Sequence, residues 1–487
     1  VFDVDKEDVR QVAMSDPDDI QALNFLQKQL NNNLRVYITT PSLLQSALDQ
    51  YRGNISSELT KVIDSNEEVE ESDEVDESDL AEDSPVAQTV NIIIEYGIKA
   101  GASDVHIEPR EDFVVVRYRI DGLLREANKL PRKLLGSLVS RIKILSNLKI
   151  DEHRAPQDGR FKVDVNGQVY ALRVSTLPIL DGEKVVMRIL NESSKPADFT
   201  ELGFWGGALG SMKNAIVQPH GMVLVTGPTG SGQSTTLFSA LSTLNTPNVN
   251  ISTVEDPVEY HIVGANQTQV NPVAGMTFTN GLRALLRQDP NIIMVGEIRD
   301  GETADLAVQA SLTGHLVFST LHTSNAATCL PRLLDMGVEP FLIASTVRIV
   351  IAQRLVRRLC VDCRESFAPD SATLKQLDKS FGLSVNGGEK RIHELEVVAL
   401  EDGIGKGGDT DQLSSSASSI TKLWKAHDQG CDSCNHTGYK GRIGTYEVLD
   451  NTTEVQKMIV SGSTSDAIEK SAVSEGMLSM QLDGVIM

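Results

Sequence analysis

Positive charge is scarce in this chain of 487 residues: 45 Lys and Arg stand against 67 Asp and Glu, a formal net charge of −22. That balance opposes non-specific binding to nucleic acid or to an anionic membrane surface and points to protein partners. Long apolar runs are missing too. No stretch approaches the roughly 18 to 20 residues that span a bilayer. The opening Val1-Phe2-Asp3-Val4-Asp5 lacks the basic start of a secretory signal. The expectation is a cytoplasmic protein without a transmembrane segment. Cysteine is sparse, five in all, and in a reducing compartment a disulfide framework is excluded. Beginning at Val1 rather than Met, the chain reads as a fragment, long enough for about three domains.

The most telling absence is a single lysine. Gly227-Pro228-Thr229-Gly230-Ser231-Gly232-Gln233-Ser234-Thr235, entered from the apolar run Val223-Leu224-Val225, has the form of a phosphate-binding loop. Its glycines let backbone N–H groups converge on phosphates, the Ser234 hydroxyl suits Mg²⁺, and the helix opening there presents a positive dipole end. Gln233 stands where that pattern has lysine. It can donate a neutral hydrogen bond but cannot offset charge gathering on the β- and γ-phosphates. The loop reads as built to bind nucleotide and impaired in hydrolysing it.

Three further segments follow. Asn291-Ile292-Ile293-Met294-Val295-Gly296-Glu297 reads as a buried strand ending in a carboxylate, the arrangement that holds a metal-bound water beside a γ-phosphate. Thr253-Val254-Glu255-Asp256-Pro257-Val258-Glu259 places three acids after another short apolar strand, and Thr313-Gly314-His315-Leu316-Val317-Phe318-Ser319-Thr320-Leu321-His322 is a strand with two histidines. Their odd separation directs them to opposite faces, so they do not share a metal, and His322 is the one expected to face the γ-phosphate.

In this order the four segments resemble the Walker A, Asp box, Walker B and His box of the secretion-ATPase superfamily, the hexameric motors of type II secretion and type IV pilus assembly. The likeness covers roughly residues 85 to 487 and takes in Gln157-Asp158-Gly159-Arg160, Leu172-Arg173-Val174-Ser175-Thr176 and Leu285-Leu286-Arg287-Gln288-Asp289-Pro290. It implies an α/β chain: a RecA-like P-loop ATPase core at 200–352, preceded by a smaller α+β, PAS-like domain at 85–192. A metal-binding and helical region would follow at 353–487. The implied reaction is hydrolysis of ATP to ADP and phosphate. Ser234 would hold Mg²⁺, Glu297 would organise metal and attacking water, Asp256 and Glu259 would assist positioning, and His322 would sense nucleotide or contact an interface. Arg173 and Arg188, on strands of the α+β domain, would act in trans within a homohexamer. The implied partners are an inner-membrane platform protein and other pilus or secretion assembly components, which would hold the chain at the inner face of the cytoplasmic membrane.

Three rivals remain open. A non-hydrolysing scaffold subunit would explain Gln233 directly. Pilus retraction motors resemble the later domains only and lack paired cysteine knuckles. A DNA-translocating RecA-type ATPase should show a basic or aromatic groove, which the charge balance disfavours.

Outside the motifs, residues 1–60 read as the remnant of a small α/β domain, with a helical pattern at Ile20, Leu23, Leu26 and Leu30, a strand over 34–38 and a second helix over 42–51. Residues 61–84 read as a disordered linker, because 64–83 hold 12 acids and no Lys or Arg. Asp121-Gly122 and Asn166-Gly167 predict hairpins, and an amphipathic helix is expected over 134–148. Cys360-Val361-Asp362-Cys363 and Cys431-Asp432-Ser433-Cys434 have the spacing of two knuckles sharing one tetrahedral metal, which favours structural Zn²⁺. The 67 residues between them are expected to contain a flexible loop, since they include the glycine-rich stretch 403–408 and the serines of 414–419. Arg354, Arg357 and Arg358 are expected on one helical face, solvated or salt-bridged between subunits. Lone Cys329 reads as packing.

Overall fold

The computed structural model describes residues 3–4, 10–17, 34–40, 84–191, 196–381, 388–404, 420 and 422–486. The helices expected at 20–30 and 42–51, the linker up to residue 83 and the loop stretches at 405–419 lie outside these residues. The chain divides into two compact units, Val1–Asn191 and Glu192–Met487.

In the first unit, Leu34–Ile38 forms the expected strand and pairs in parallel with Arg10–Met14, whose other edge takes Asp3–Val4 antiparallel. A six-stranded antiparallel sheet follows. Its spatial order is Leu123–Pro131, Phe113–Ile120, Ala102–Pro109, Gly182–Asn191, Gln168–Ile179, Gln157–Val165. Both expected hairpin turns form, with φ of 49° and 84° at Asp121 and Gly122 and of 57° and 77° at Asn166 and Gly167. Positive φ at both central residues matches the strand twist. Ser84 caps helix Pro85–Lys99 by accepting the Ala87 N–H, with Pro85 in the first turn. That helix and Leu135–Leu145 cover one sheet face, where Ile93, Ile94 and Ile142 pack with Ile107, Leu172 and Met187. On the central strand, the alternate positions Asp104, His106 and Glu108 are buried as well.

The second unit is built on a seven-stranded sheet ordered Asn266–Gln269, Ile251–Glu255, Ile292–Val295, Leu316–Leu321, Gly221–Thr226, Val347–Leu359, Tyr439–Asp450. All neighbours pair in parallel except the last two. Every residue of Gly221–Thr226 is buried. Met222 and Leu224 enter one hydrophobic cluster and Val223 and Val225 the other, so both faces are covered, as a parallel sheet requires.

Two expectations need correction. Arg354, Arg357 and Arg358 lie on the strand Val347–Leu359 and not on a helix. Period two separates Arg357 from the other two, and Arg357 stacks over Tyr439, 3.8 Å from the ring centroid. The same strand runs through the boundary expected at 352. Its register with Tyr439–Asp450, from Ile349 opposite Asp450 to Leu359 opposite Tyr439, makes a segment from beyond the cysteine insert part of the ATPase sheet. The insert also contains two helices, Ser371–Phe381 and Gly388–Glu401. The second packs Ile392, Leu395 and Ala399 against Trp205 and Leu482.

Candidate functional site

The phosphate-type loop leaves the strand Gly221–Thr226 and opens the helix Gln233–Leu244, with Gly232 in a left-handed conformation at its cap. A Cβ on Gly227 would lie 2.5 Å from Ser231 Oγ and 2.7 Å from the Gln353 carbonyl, so only glycine fits there. Gln353, almost wholly buried on the adjoining strand, clamps the loop: its Nε2 donates to Ser231 O at 2.6 Å and its Oε1 accepts from Thr236 Oγ1 at 2.9 Å. Gln233 donates to the carbonyls of Val225 and Leu321 at 3.3 and 3.2 Å, at the C-terminal ends of two strands. Ser234 is exposed in the first helical turn.

The acids and His322 converge on this loop. Gln233, Ser234, Asp256, Glu259, Glu297 and His322 line one cleft at the C-terminal ends of the parallel strands, where α/β sheets bind ligands. His322 bridges the cleft, with Nδ1 3.3 Å from Gly227 O and Nε2 3.2 Å from Glu297 Oε2. Thr226 holds the base of that arm, since its hydroxyl donates to Leu321 O at 2.8 Å and accepts the Thr323 N–H at 2.9 Å. His315 is turned to structural use, with Nδ1 2.9 Å from Ala310 O.

Arg299 was not among the residues expected here. It pairs with Glu297 and stands 3.9 Å from Asp256 Oδ2. Burial works against the charge of Glu297, yet Arg299 and His322 outweigh it and hold the carboxyl below its ordinary range. Glu297 is therefore ionised at neutral pH, as an acceptor for water or metal must be. Its position two residues beyond Glu297 was the available signal for Arg299. Glu255 is the opposite case: burial raises its pKa despite hydrogen bonds from Thr253 and Gln267. Those bonds, at 2.6 and 3.0 Å, make it a brace under the Asp256–Glu259 turn. Tyr260 completes the brace, with its hydroxyl 3.0 Å from Thr235 Oγ1 and its ring stacked on Phe238. A serine hydroxyl and an ionised carboxylate facing one cleft are hard oxygen donors suited to Mg²⁺.

Arg173 and Arg188 belong to the first unit. They sit opposite each other on neighbouring strands, and Arg188 Nε lies 3.0 Å from Asp104 Oδ1.

The four knuckle cysteines meet. Sγ separations are 3.8 Å for Cys360–Cys431, Cys363–Cys434 and Cys431–Cys434, and all four sulfurs lie within 4.8 Å of one another. A tetrahedron with metal–sulfur bonds of about 2.3 Å has edges of about 3.8 Å, so the set could hold one metal ion. Backbone N–H groups of Cys431 and Gly438 donate to Cys434 Sγ at 3.1 and 3.2 Å, the bonding a thiolate ligand receives. Cys329 is buried inside its helix, and burial pushes its thiol up.

Residues 79–485 match the family described as Type II/IV secretion system protein, and residues 2–58 match the MshEN domain. The chain is 40% identical over 486 residues to the type IV pilus assembly ATPase PilB of Myxococcus xanthus, covering 97% of this chain and 79% of that protein. It is 45% identical over 385 residues to the type II secretion system ATPase E of Vibrio cholerae, covering 79% and 69% respectively. Among solved structures, the pilus retraction motor PilT with bound ADP shares the fold, at a TM-score of 0.50 and 23% identity over 81% of this chain and 96% of that one. A P-loop sheet with its acids and histidine gathered at the strand ends, matched over most of the chain, makes this protein a member of the Type II/IV secretion system family of ATPases.

Proposed function

We propose that the chain is the motor subunit of a homohexamer that couples ATP hydrolysis to assembly of pilin-like filaments, in type IV pilus assembly or type II secretion, and that Gln233 leaves this form able to bind nucleotide but not to turn it over. The observation that carries the reading is the convergence of Ser234, Glu297, Arg299 and His322 around a phosphate loop whose lysine position alone departs from the pattern. The paired cysteine knuckles favour the assembly motors over the retraction motors, and structural Zn²⁺ is the metal that suits them.

In this reading the loop amides and the helix N-terminus bind the phosphates, and Ser234 holds Mg²⁺. The metal, when bound, neutralises charge on the β- and γ-oxygens. Glu297 orients the attacking water and accepts its proton at a carboxylate oxygen, while Arg299 and His322 fix that carboxylate. Asp256 and Glu259 hold the far wall of the cleft. Arg173 and Arg188 reach the nucleotide of the neighbouring subunit and stabilise charge in the transition state. The ring works at the inner face of the cytoplasmic membrane on a platform protein, with no role for nucleic acid. No described helix is long and apolar enough to cross a membrane, and in this proposal the attachment is through protein partners.

Calorimetric titration with MgADP tests the binding half of the proposal. One saturable site per chain is expected in the Gln233 form, tightened about tenfold or more by Gln233→Lys through a charge-assisted contact worth about 1.5 to 3 kcal/mol. Absence of binding in both forms would overturn the reading.

A further inference from the structure

The strand Ala102–Pro109 carries two carboxylates that the hydrolysis site does not use, and one of them lies within a row of arginines. Across the sheet the register aligns Arg119, Asp104, Arg188, Arg173 and Arg160. Four of these five cross-strand neighbours are cations. Like charges directly opposite one another destabilise a sheet, and Arg188 faces Arg173 across one ladder. Asp104 is the only anion in the row. Its side chain is 8% exposed, and its Oδ1 meets Arg188 Nε at 3.0 Å while its Oδ2 lies 3.6 Å from Arg119 Nε and accepts from Ser103 Oγ at 2.8 Å.

Both carboxylate oxygens are thus committed, and the buried group cannot swing. Arg188 keeps about half its side chain exposed. The pairing spends Nε, which leaves both terminal amino groups for a second anion. An arginine held by a fixed carboxylate loses less freedom when it meets its target than one on a free stem.

From this we infer that Asp104 is the positioning residue of the arginine row: it sets the side chain of Arg188 and offsets its repulsion from Arg173, so that the pair meets the polyphosphate of a neighbouring subunit preformed. The inference rests on the proposed trans role of the two arginines.

The test uses full-length hexamers carrying Gln233→Lys. With Asp104→Asn added, kcat is expected to fall about tenfold while KM stays within about twofold, the signature of an interaction made mainly in the transition state. Asp104→Asn added to Arg188→Ala should cost nothing further, because its effect passes through that arginine. Misfolding would instead slow the Arg188→Ala form again. Subunits with Asp104→Asn mixed with Glu297→Gln subunits should regain turnover, because the two defects then fall in different sites. An unchanged kcat on Asp104→Asn, or additive losses in the double variant, overturns the inference while leaving the motor reading intact. A Gln233→Lys parent with no turnover overturns the motor reading, and the inference with it.

Discussion

Gln233 shows what a single residue could and could not disclose. Its position in the loop was legible because glycines at fixed offsets have few other uses. Its bonding to Val225 and Leu321 was not, because those carbonyls end strands brought together only by the sheet. Glu297 and His322, which line the cleft, stood out through their local motifs, whereas Gln353 is separated by more than a hundred residues from the loop it clamps. Asp483 is a further residue that only packing reveals. It is nearly enclosed and accepts the Tyr446 N–H at 2.9 Å. Burial pushes its pKa up to about 7, against the opposing pull of Tyr446 N–H and Trp205. In the unfolded chain the group ionises near 4, so the folded state holds a proton that the unfolded state has lost. Stability is undiminished below that value, falls as pH rises toward 7, and carries the whole penalty above it. Asp483→Asn should therefore raise the melting temperature more at pH 8 than at pH 5, a difference in stabilisation of about 3 kcal/mol at about 1.4 per pH unit. Equal gains at both pH values would show that the carboxyl ionises normally.

At the scale of elements, the hairpins at Asp121-Gly122 and Asn166-Gly167 were legible because the turn chemistry is local. The arginines at 354, 357 and 358 were misplaced because an i, i+3, i+4 spacing fits a helix, while the β-branched run Val347, Ile349, Val350 and Ile351 leading into them already favoured a strand. That strand's partner comes from beyond the cysteine insert, a non-local pairing that periodicity does not report. The knuckles sit at the far end of these same two strands, with Cys360 N–H bonded to Gly438 O at 2.9 Å. Metal binding there should pin the ribbon that carries Gln353. Protein purified without chelator is expected to hold one zinc per chain, and Cys431→Ser to lose it together with several degrees of melting temperature. Less than about half an equivalent of tightly held zinc in the unsubstituted protein would contradict the assignment.

On the scale of the whole molecule, the loop, Glu297 and His322 belong to Glu192–Met487, whereas Arg173 and Arg188, proposed to act on a neighbouring subunit, belong to Val1–Asn191. A net charge of −22 opposes binding to polyanions such as nucleic acid. In the Gln233→Lys background, subunits with Arg173→Ala mixed with subunits carrying Glu297→Gln should exceed both parents in turnover, since some interfaces then join an intact arginine to an intact carboxylate. No gain at any mixing ratio would place the arginine's action elsewhere. The most direct measurement is steady-state phosphate release from purified hexamers of the Gln233 and Gln233→Lys forms, under conditions where both bind nucleotide. The expected result is almost no turnover for Gln233 and restored hydrolysis for Gln233→Lys; equal inactivity in the two forms would contradict the motor reading and leave a nucleotide-binding scaffold in its place.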